Sequence, residues 1–216
     1  MIDSNARIVV LISGSGSNLQ TILDHANDGK IDGDVVGVIS NRSEAFGLER
    51  AAESGVPTKV LDHTMFSSRD DYDESLAGLI DSFEPDVIVL AGFMRILTPE
   101  FVRRFSGKMI NIHPSLLPKY TGLHTHRRAI EAGDDVHGCS VHFVTEELDG
   151  GPVILQAKVP IFEDDTEQLL QDRILEQEHR IFPLTVQWLA SGRVKLVDGT
   201  AEMDGERLPQ DGYAAD

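Results

Sequence analysis

Short, unbroken apolar runs alternating with helical patterns constrain this chain more than any other feature. "RIVVLIS" (7–13), "VVGVIS" (35–40), "DVIVLAGF" (86–93) and "KMINIH" (108–113) read as strands buried on both faces, with "TKVL" (58–61) as a shorter one. Between them lie helical stretches. In "LQTILDHANDG" a stripe of Leu19, Ile22, Leu23 and Ala26 ends at Gly29; "EAFGLERAAESG" (44–55), "RDDYDESLAGLIDSF" (69–83) and "PEFVRRF" (99–105) follow. Strands alternating with helices build βαβ units, so the expected fold is α/β, with an open, mostly parallel sheet.

The rhythm breaks after Pro114. "PSLLPKYTGLH" (114–124) reads as a loop and "THRRAIEAG" (125–133) as a short helix. "CSVHFVTEEL" (139–148) and "VILQAKVPI" (153–161) read as strands joined by the turn "DGGP", an antiparallel C-terminal addition to a Rossmann-like N-terminal half. Asp165 with Gln168 is expected to open a long helix reaching about Gly192, kinked at Pro183. The polar tail "EMDGERLPQDGYAAD" is expected to be loosely ordered. A length of 216 residues suits a single domain.

Charge and cysteine content narrow the partners. Nineteen basic against 36 acidic residues give a formal charge of −17, which argues against nucleic acid or an anionic membrane. The scarcity of lysine fits either a salt-adapted surface or an ordinary acidic cytosolic enzyme. The N-terminus lacks a basic n-region and an apolar h-region, and no apolar run is long enough to span a bilayer. The one cysteine, Cys139, excludes an internal disulfide and fits a reducing cytoplasm. The eight histidines match no zinc spacing, so no metal is expected.

Two stretches carry chemistry. "LISGSGSN" follows a buried strand and opens a helix, where glycines let the backbone approach a ligand and free N–H groups favour a phosphate. A dinucleotide fingerprint is disfavoured, since its third glycine falls on Leu19 and the next strand ends in Ser40, Asn41 and Arg42 rather than an acid. A smaller phosphorylated ligand, or simply a tight turn, remains. In "KMINIHPSLLP", Asn111 and His113 share one strand face and Pro114 ends the ladder, placing the pair at the carboxyl end of a parallel strand, where α/β sheets bind ligands. An amide and an imidazole there can donate to a developing oxyanion, or merely cap a strand end. Asp149, in "ELDGGP", offers a carboxylate partner for His113, although Asp-Gly is also a good turn former.

"GSGSNLQ", "SNRSEAFGLERA", "VLAGFMRIL", "NIHPSLLPKYTGLHTHRRAIEAGD", "SVHFVTEELDGGPVILQAKVPI" and "YAAD" together resemble the folate-dependent phosphoribosylglycinamide formyltransferases, from about Ile8 to Asp216. "NIHPSLLP" with a later "DGGP" also marks the wider formyl-tetrahydrofolate transferase and hydrolase group. Its hydrolase members are expected to carry an extra N-terminal domain and its methionyl-tRNA members an extra C-terminal one.

The resemblance implies Asn111, His113 and Asp149 as the catalytic set. It implies nucleotide-substrate contacts at Gly16, Ser17, Asn18, Gln177 and Glu178. The co-substrate 10-formyltetrahydrofolate would meet Arg69, Met94, Arg95, Ile96, Leu97, Asn111 and the segment Thr145, Glu146, Glu147, Leu148 and Asp149. Residues 1–110 would form the nucleotide-phosphate half, 111–195 the catalytic and folate half, and 196–216 a tail, in a cytoplasmic monomer or weak homodimer acting on glycinamide ribonucleotide. Two alternatives are a non-catalytic sugar-phosphate-binding module and an enzyme with a different acceptor amine, such as an amino-sugar nucleotide.

Overall fold

The computed structural model describes residues 5–213; residues 1–4 and 214–216, with the end of "YAAD", lie outside the described residues. The chain runs β1 (Ala6–Ile12), α1 (Ser17–Asn27), β2 (Gly33–Ser40), α2 (Gly47–Glu53), β3 (Thr58–Val60), α3 (Arg69–Asp81), β4 (Val87–Leu90), α4 (Pro99–Arg104), β5 (Met109–His113) and α5 (Thr125–Glu131). It continues through β6 (Val136–Phe143), β7 (Val153–Pro160), α6 (Glu167–Ala190), β8 (Val194–Val197), β9 (Thr200–Met203) and β10 (Glu206–Arg207). The main sheet has the order β3-β2-β1-β4-β5-β6-β7. The first five strands are parallel, and β6 and β7 join antiparallel, as expected.

The apolar runs earn their burial on both faces. Ile8, Val10 and Ile12 of β1 pack with α1 and α6 on one side, while Val9 and Leu11 meet Tyr72, Leu76 and Ile80 of α3 on the other. Strand order reverses between β1 and β4, and the crevice at such a switch point is where ligands bind in open α/β sheets. The helices α3, α4 and α6 start with side-chain caps from Ser68, Thr98 and Thr166. α1 does not: its N-cap is Gly16 in the left-handed region, with no side-chain cap.

Three expectations are corrected. The first antiparallel strand is Val136–Phe143, earlier than 139–148, because Val136 already pairs with Pro160 and the chain after Val144 leaves the ladder to form a loop. The long helix is capped by Thr166, while Asp165 accepts from Phe162 N–H and pairs with Arg173; the helix is continuous through Pro183. Among the described residues, the C-terminal segment forms regular structure. β8, β9 and β10 form a three-stranded antiparallel sheet, turned at Asp198-Gly199 and Asp204-Gly205, all four at positive φ. Tyr213 N–H then donates to Ile154 O at 2.7 Å, and its ring meets Trp188 at 5.2 Å.

Candidate active site

β5 delivers its two polar side chains as the alternation requires. Ile110 and Ile112 enter the core, and Asn111 and His113 take the opposite face at the carboxyl end. Antiparallel β6 lies against this end and sets His142 opposite Asn111. His142 Nδ1 donates to Phe143 O at 2.9 Å, so its Nε2 is the ring's acceptor. Asn111 Nδ2 donates to that nitrogen at 3.2 Å. The histidine thereby fixes which end of the amide faces it, leaving the second Nδ2 hydrogen for a ligand. Burial holds the His142 pKa below the ordinary histidine value, in keeping with a neutral acceptor ring.

Asp149 completes the cluster from the turn after β6. Its backbone is left-handed at φ 52°, and Gly151 packs so tightly that a Cβ there would lie 1.7 Å from Phe143 O. The carboxylate is buried beside both histidines, with Oδ2 3.5 Å from His113 Nδ1 and Oδ1 4.0 Å from His142 Nε2. Gly122 N–H donates to Oδ2 at 2.8 Å. On the other edge of the ring, His113 Nε2 donates to Tyr120 O at 2.8 Å. The loop between β5 and α5 therefore grips both members of the pair, tied down by Thr125 Oγ1 to Pro114 O and Arg128 to Thr121 O.

The other end of the crevice is made of main chain. A cavity of about 510 Å³ at the β1/β4 switch point is lined by Ser13 to Asn18, Arg42, Ala91, Gly92, Met94 and Gln171. Gly16 is at φ 71°, and a Cβ there would lie 2.5 Å from Gly47 Cα, so the loop and α2 meet at a contact only glycine allows. Asn18 Nδ2 donates to Glu178 at 2.8 Å, while Asn18 Oδ1 is buried without a protein partner among the described residues. Burial pushes the Glu178 carboxyl up to about 7, and the Asn18 bond offsets this in part. Ser13, buried between the two ends, donates to Asn41 Oδ1 and accepts from Met94 N–H at 2.8 Å, tying the ends of β1 and β2 to the segment after β4.

The remaining candidates spread around this crevice. Met94 and Ile96 expose large apolar side chains and Leu97 packs into the core; Leu148 is exposed on the loop over the site. Arg95 lies 4.6 Å over the Tyr72 ring. Thr145 is half-buried, Glu146 pairs with Arg103, and Gly150 N–H donates to Glu147 O, closing the turn that carries Asp149. Arg69 is exposed at the first position of α3 and makes no polar side-chain contact among the described residues. Gln177 is half-buried beside Glu178 and is not among the residues lining the cavity. Among the described residues, no group of three or more His, Cys, Asp or Glu is placed to hold a metal ion.

Comparison with known proteins bears on this geometry. Residues 6–186 match the formyl transferase family. The chain belongs to that family. It is 59% identical to phosphoribosylglycinamide formyltransferase of Escherichia coli (strain K12), over 97% of this chain and 99% of that one. It is 44% identical over 191 residues to the human trifunctional purine biosynthetic protein adenosine-3, covering 88% of this chain and 19% of that protein. Among solved structures, phosphoribosylglycinamide formyltransferase from Coxiella burnetii superposes with a TM-score of 0.94 at 47% identity, covering 98% and 99% of the two chains. The resemblance read from the sequence is borne out, and the chain is a one-carbon transferase enzyme.

In this formyl transferase the fold brings Asn111, His113 and Asp149 together, and the groups that orient them are ones the sequence does not single out. His142, one of the eight histidines that match no zinc spacing, is buried in β6 and bonded to Asn111. The signal was available in "SVHF", since an antiparallel partner of "NIH" must put some residue opposite Asn111. Ser13 and Asn41 were also missed, as was Gln171, seven residues before Glu178 and so on the same helix face. Among the described residues, no helix of the enzyme is long and apolar enough to cross a membrane.

Proposed function

We propose that the enzyme transfers the formyl group of 10-formyltetrahydrofolate to the primary amine of phosphoribosylglycinamide, a step of purine biosynthesis. One observation carries this reading: an amide and an imidazole project from one strand end, with a buried carboxylate 3.5 Å from the ring. The amine nitrogen attacks the formyl carbon, and the carbonyl oxygen becomes a tetrahedral oxyanion. Stabilising it is the largest task. Asn111 donates through the Nδ2 hydrogen that His142 does not hold. His113 Nε2 is engaged by Tyr120 O, whereas the Nδ1 side, 3.5 Å from Asp149, is too long for a strong hydrogen bond. When His113 is protonated, Nδ1–H is thus the donor that turns to the oxyanion. The C–N10 bond then breaks as N10 takes a proton; the amine gives one up, and Asp149 assists its passage through water. Substrate alignment supplies much of the remaining acceleration.

The ribonucleotide's phosphate and ribose are assigned to Gly16, Ser17 and Asn18, with Glu178 and Gln177 on the glycinamide side. The pterin is assigned to the wall from Met94 through Leu97 and to the segment 145–149, with Arg69 toward the folate's far end. The chain would divide functionally into a phosphate half (1–110), a catalytic and folate half (111–195), and a C-terminal segment. The lone buried thiol suits a reducing compartment, so we assign the reaction to the cytoplasm, in a monomer or weak homodimer. The test is a formyl-transfer assay with each substrate omitted in turn, in the presence of EDTA. Transfer is expected only with both substrates and is insensitive to chelator. Transfer to an amino-sugar nucleotide instead of the ribonucleotide would overturn the acceptor, and loss with EDTA restored by zinc would overturn the metal-free mechanism.

A further inference from the structure

The loop that opens α1 is gripped from behind by α2. Gly47 N–H donates to Gly14 O at 3.0 Å, and Arg50 Nε donates to Ser15 O at 2.8 Å. A second Arg50 nitrogen reaches Gln20 Oε1 on α1 at 3.3 Å, and the guanidinium lies 4.9 Å over the Phe46 ring. The head group is thus fixed by two acceptors and a ring face, a geometry that suits a planar fork and not an ammonium.

A trans peptide sets its C=O and N–H on opposite sides. The carbonyls of Gly14 and Ser15 are turned to α2, so the N–H groups of Ser15 and Gly16, in the same two peptide units, are turned away from it. The loop lines one cavity together with Ala91, Gly92 and Met94, in the segment that follows β4. Among the described residues, no protein acceptor takes the N–H of Gly16, Ser17 or Asn18.

We infer that Arg50 is a positioning residue for anion recognition: by holding the Ser15 carbonyl back, it aims the Gly16 N–H at the ribonucleotide's phosphate. Without it the Ser15–Gly16 peptide is free to rotate and to present a carbonyl oxygen, which repels a phosphate where an N–H attracts one. The inference rests on the assignment of that phosphate to Gly16–Asn18.

The experiment compares wild type, Arg50→Gln and Arg50→Lys by steady-state kinetics, with ribose 5-phosphate as a competitor against the ribonucleotide. Arg50→Gln is expected to raise the KM for ribonucleotide and the inhibition constant of ribose 5-phosphate together by about tenfold, the loss of one hydrogen bond to a charged group. kcat and the KM for formyl folate should stay within about twofold, a change of under 0.5 kcal/mol. Arg50→Lys should fall between, since it keeps the charge and loses the fork. A purely structural role would instead lower kcat and weaken folate binding alongside. If either variant fails to fold, the other carries the test. If ribose 5-phosphate competes in wild type and both variants match wild type, the inference is wrong. If ribose 5-phosphate does not compete in wild type, and the Gly16 and Ser17 amide resonances do not shift when it is added, the phosphate assignment fails and takes the inference with it.

Discussion

The two ends of the crevice solve opposite problems with opposite materials. At the β1/β4 end the crevice is built of main chain: a loop with glycine at φ 71°, a helix start without a side-chain cap and a close contact with Gly47. At the β5 end it rests on side chains from three segments: Asn111 and His113 on one strand, His142 on its antiparallel partner, and Asp149 on the turn. A phosphate carries its charge before, during and after reaction, so it needs fixed N–H groups and no moving proton. An oxyanion exists only in passing, so its donors must be held by other groups until needed, and one must exchange a proton. The two ends should therefore fail differently: one in substrate binding, the other in turnover.

The largest effects belong to the side-chain end. His113→Ala is expected to lower kcat by about 10²–10⁴, the usual worth of a general acid. Asn111→Ala should cost about 10²–10³, the worth of one oxyanion donor. Neither should change the KM for ribonucleotide comparably, and the double variant should cost less than the product of the singles, because the groups act as a unit. Asp149→Asn keeps the shape and removes the charge beside His113, so kcat should fall while the KM for ribonucleotide holds. If His113→Ala keeps more than about a tenth of wild-type turnover, only about 1.4 kcal/mol of barrier, the division of labour collapses.

Next comes the main-chain end. Gly16→Ala puts a residue at φ 71° and a Cβ 2.5 Å from Gly47 Cα. Left-handed backbone costs a non-glycine residue roughly 1–2 kcal/mol, and the contact adds to it. The loop must shift, so the KM for ribonucleotide should rise about tenfold or more with kcat nearly constant. An equal fall in kcat would mean that the loop also positions the attacking amine and that the two ends are not separable.

This contrast also explains what was legible. The parallel sheet could be read because strands buried on both faces leave unbroken apolar runs, as in "RIVVLIS". The glycine loop could be read because it sits at a strand–helix junction, where Gly16 takes φ 71° against Gly47. Asn111 and His113 betrayed themselves as polar residues in a core strand. His142 did not, because its role is set by cross-strand register with Asn111, a relation between residues 31 apart. The grip of Tyr120 O and Gly122 N–H on the pair is main-chain chemistry, to which side-chain identity is blind. The three-stranded C-terminal sheet was hidden for another reason: its strands are short and half-exposed. Yet "VDGT" and "EMDGER" carry the Asp-Gly hairpin signal, and Val194, Ala201 and Met203 fill its buried face.

A smaller effect separates the ends by pH. Glu178 has its carboxyl raised from 4.5 to about 7 by burial. Between those values the folded enzyme holds a proton that the unfolded chain lacks, so this group's contribution to stability is lost as pH rises through about 7. If the carboxylate accepts hydrogen bonds from the substrate, affinity for ribonucleotide should fall several-fold as pH drops below about 7. Glu178→Gln should flatten that dependence. The opposite sign holds near the catalytic end, where burial lowers His137 from 6.5 to about 4. Over that window the unfolded chain binds the extra proton, so stability rises with pH. Replacing His137 by leucine should weaken acid denaturation without touching the pH dependence of ribonucleotide affinity.

The smallest effect asks whether the loop binds an anion for its own sake. The chain carries a formal charge of −17, so its carboxylates repel one another at low ionic strength, and any salt should raise the melting temperature by screening. Sodium chloride and sodium phosphate at matched ionic strength and pH screen alike. At low-millimolar phosphate, where its general salting-out effect is negligible, added stabilisation requires binding to the folded state, and it grows with the logarithm of concentration above the dissociation constant. A tenfold excess over that constant corresponds to about 1.4 kcal/mol, or roughly 3–6 °C for a chain of this size. Gly16→Ala should lose the phosphate increment and keep the chloride one. His113→Ala should keep both. A flat chloride curve would remove surface repulsion as a factor. A phosphate increment that survives Gly16→Ala would place the anion elsewhere and break the comparison at its main-chain end.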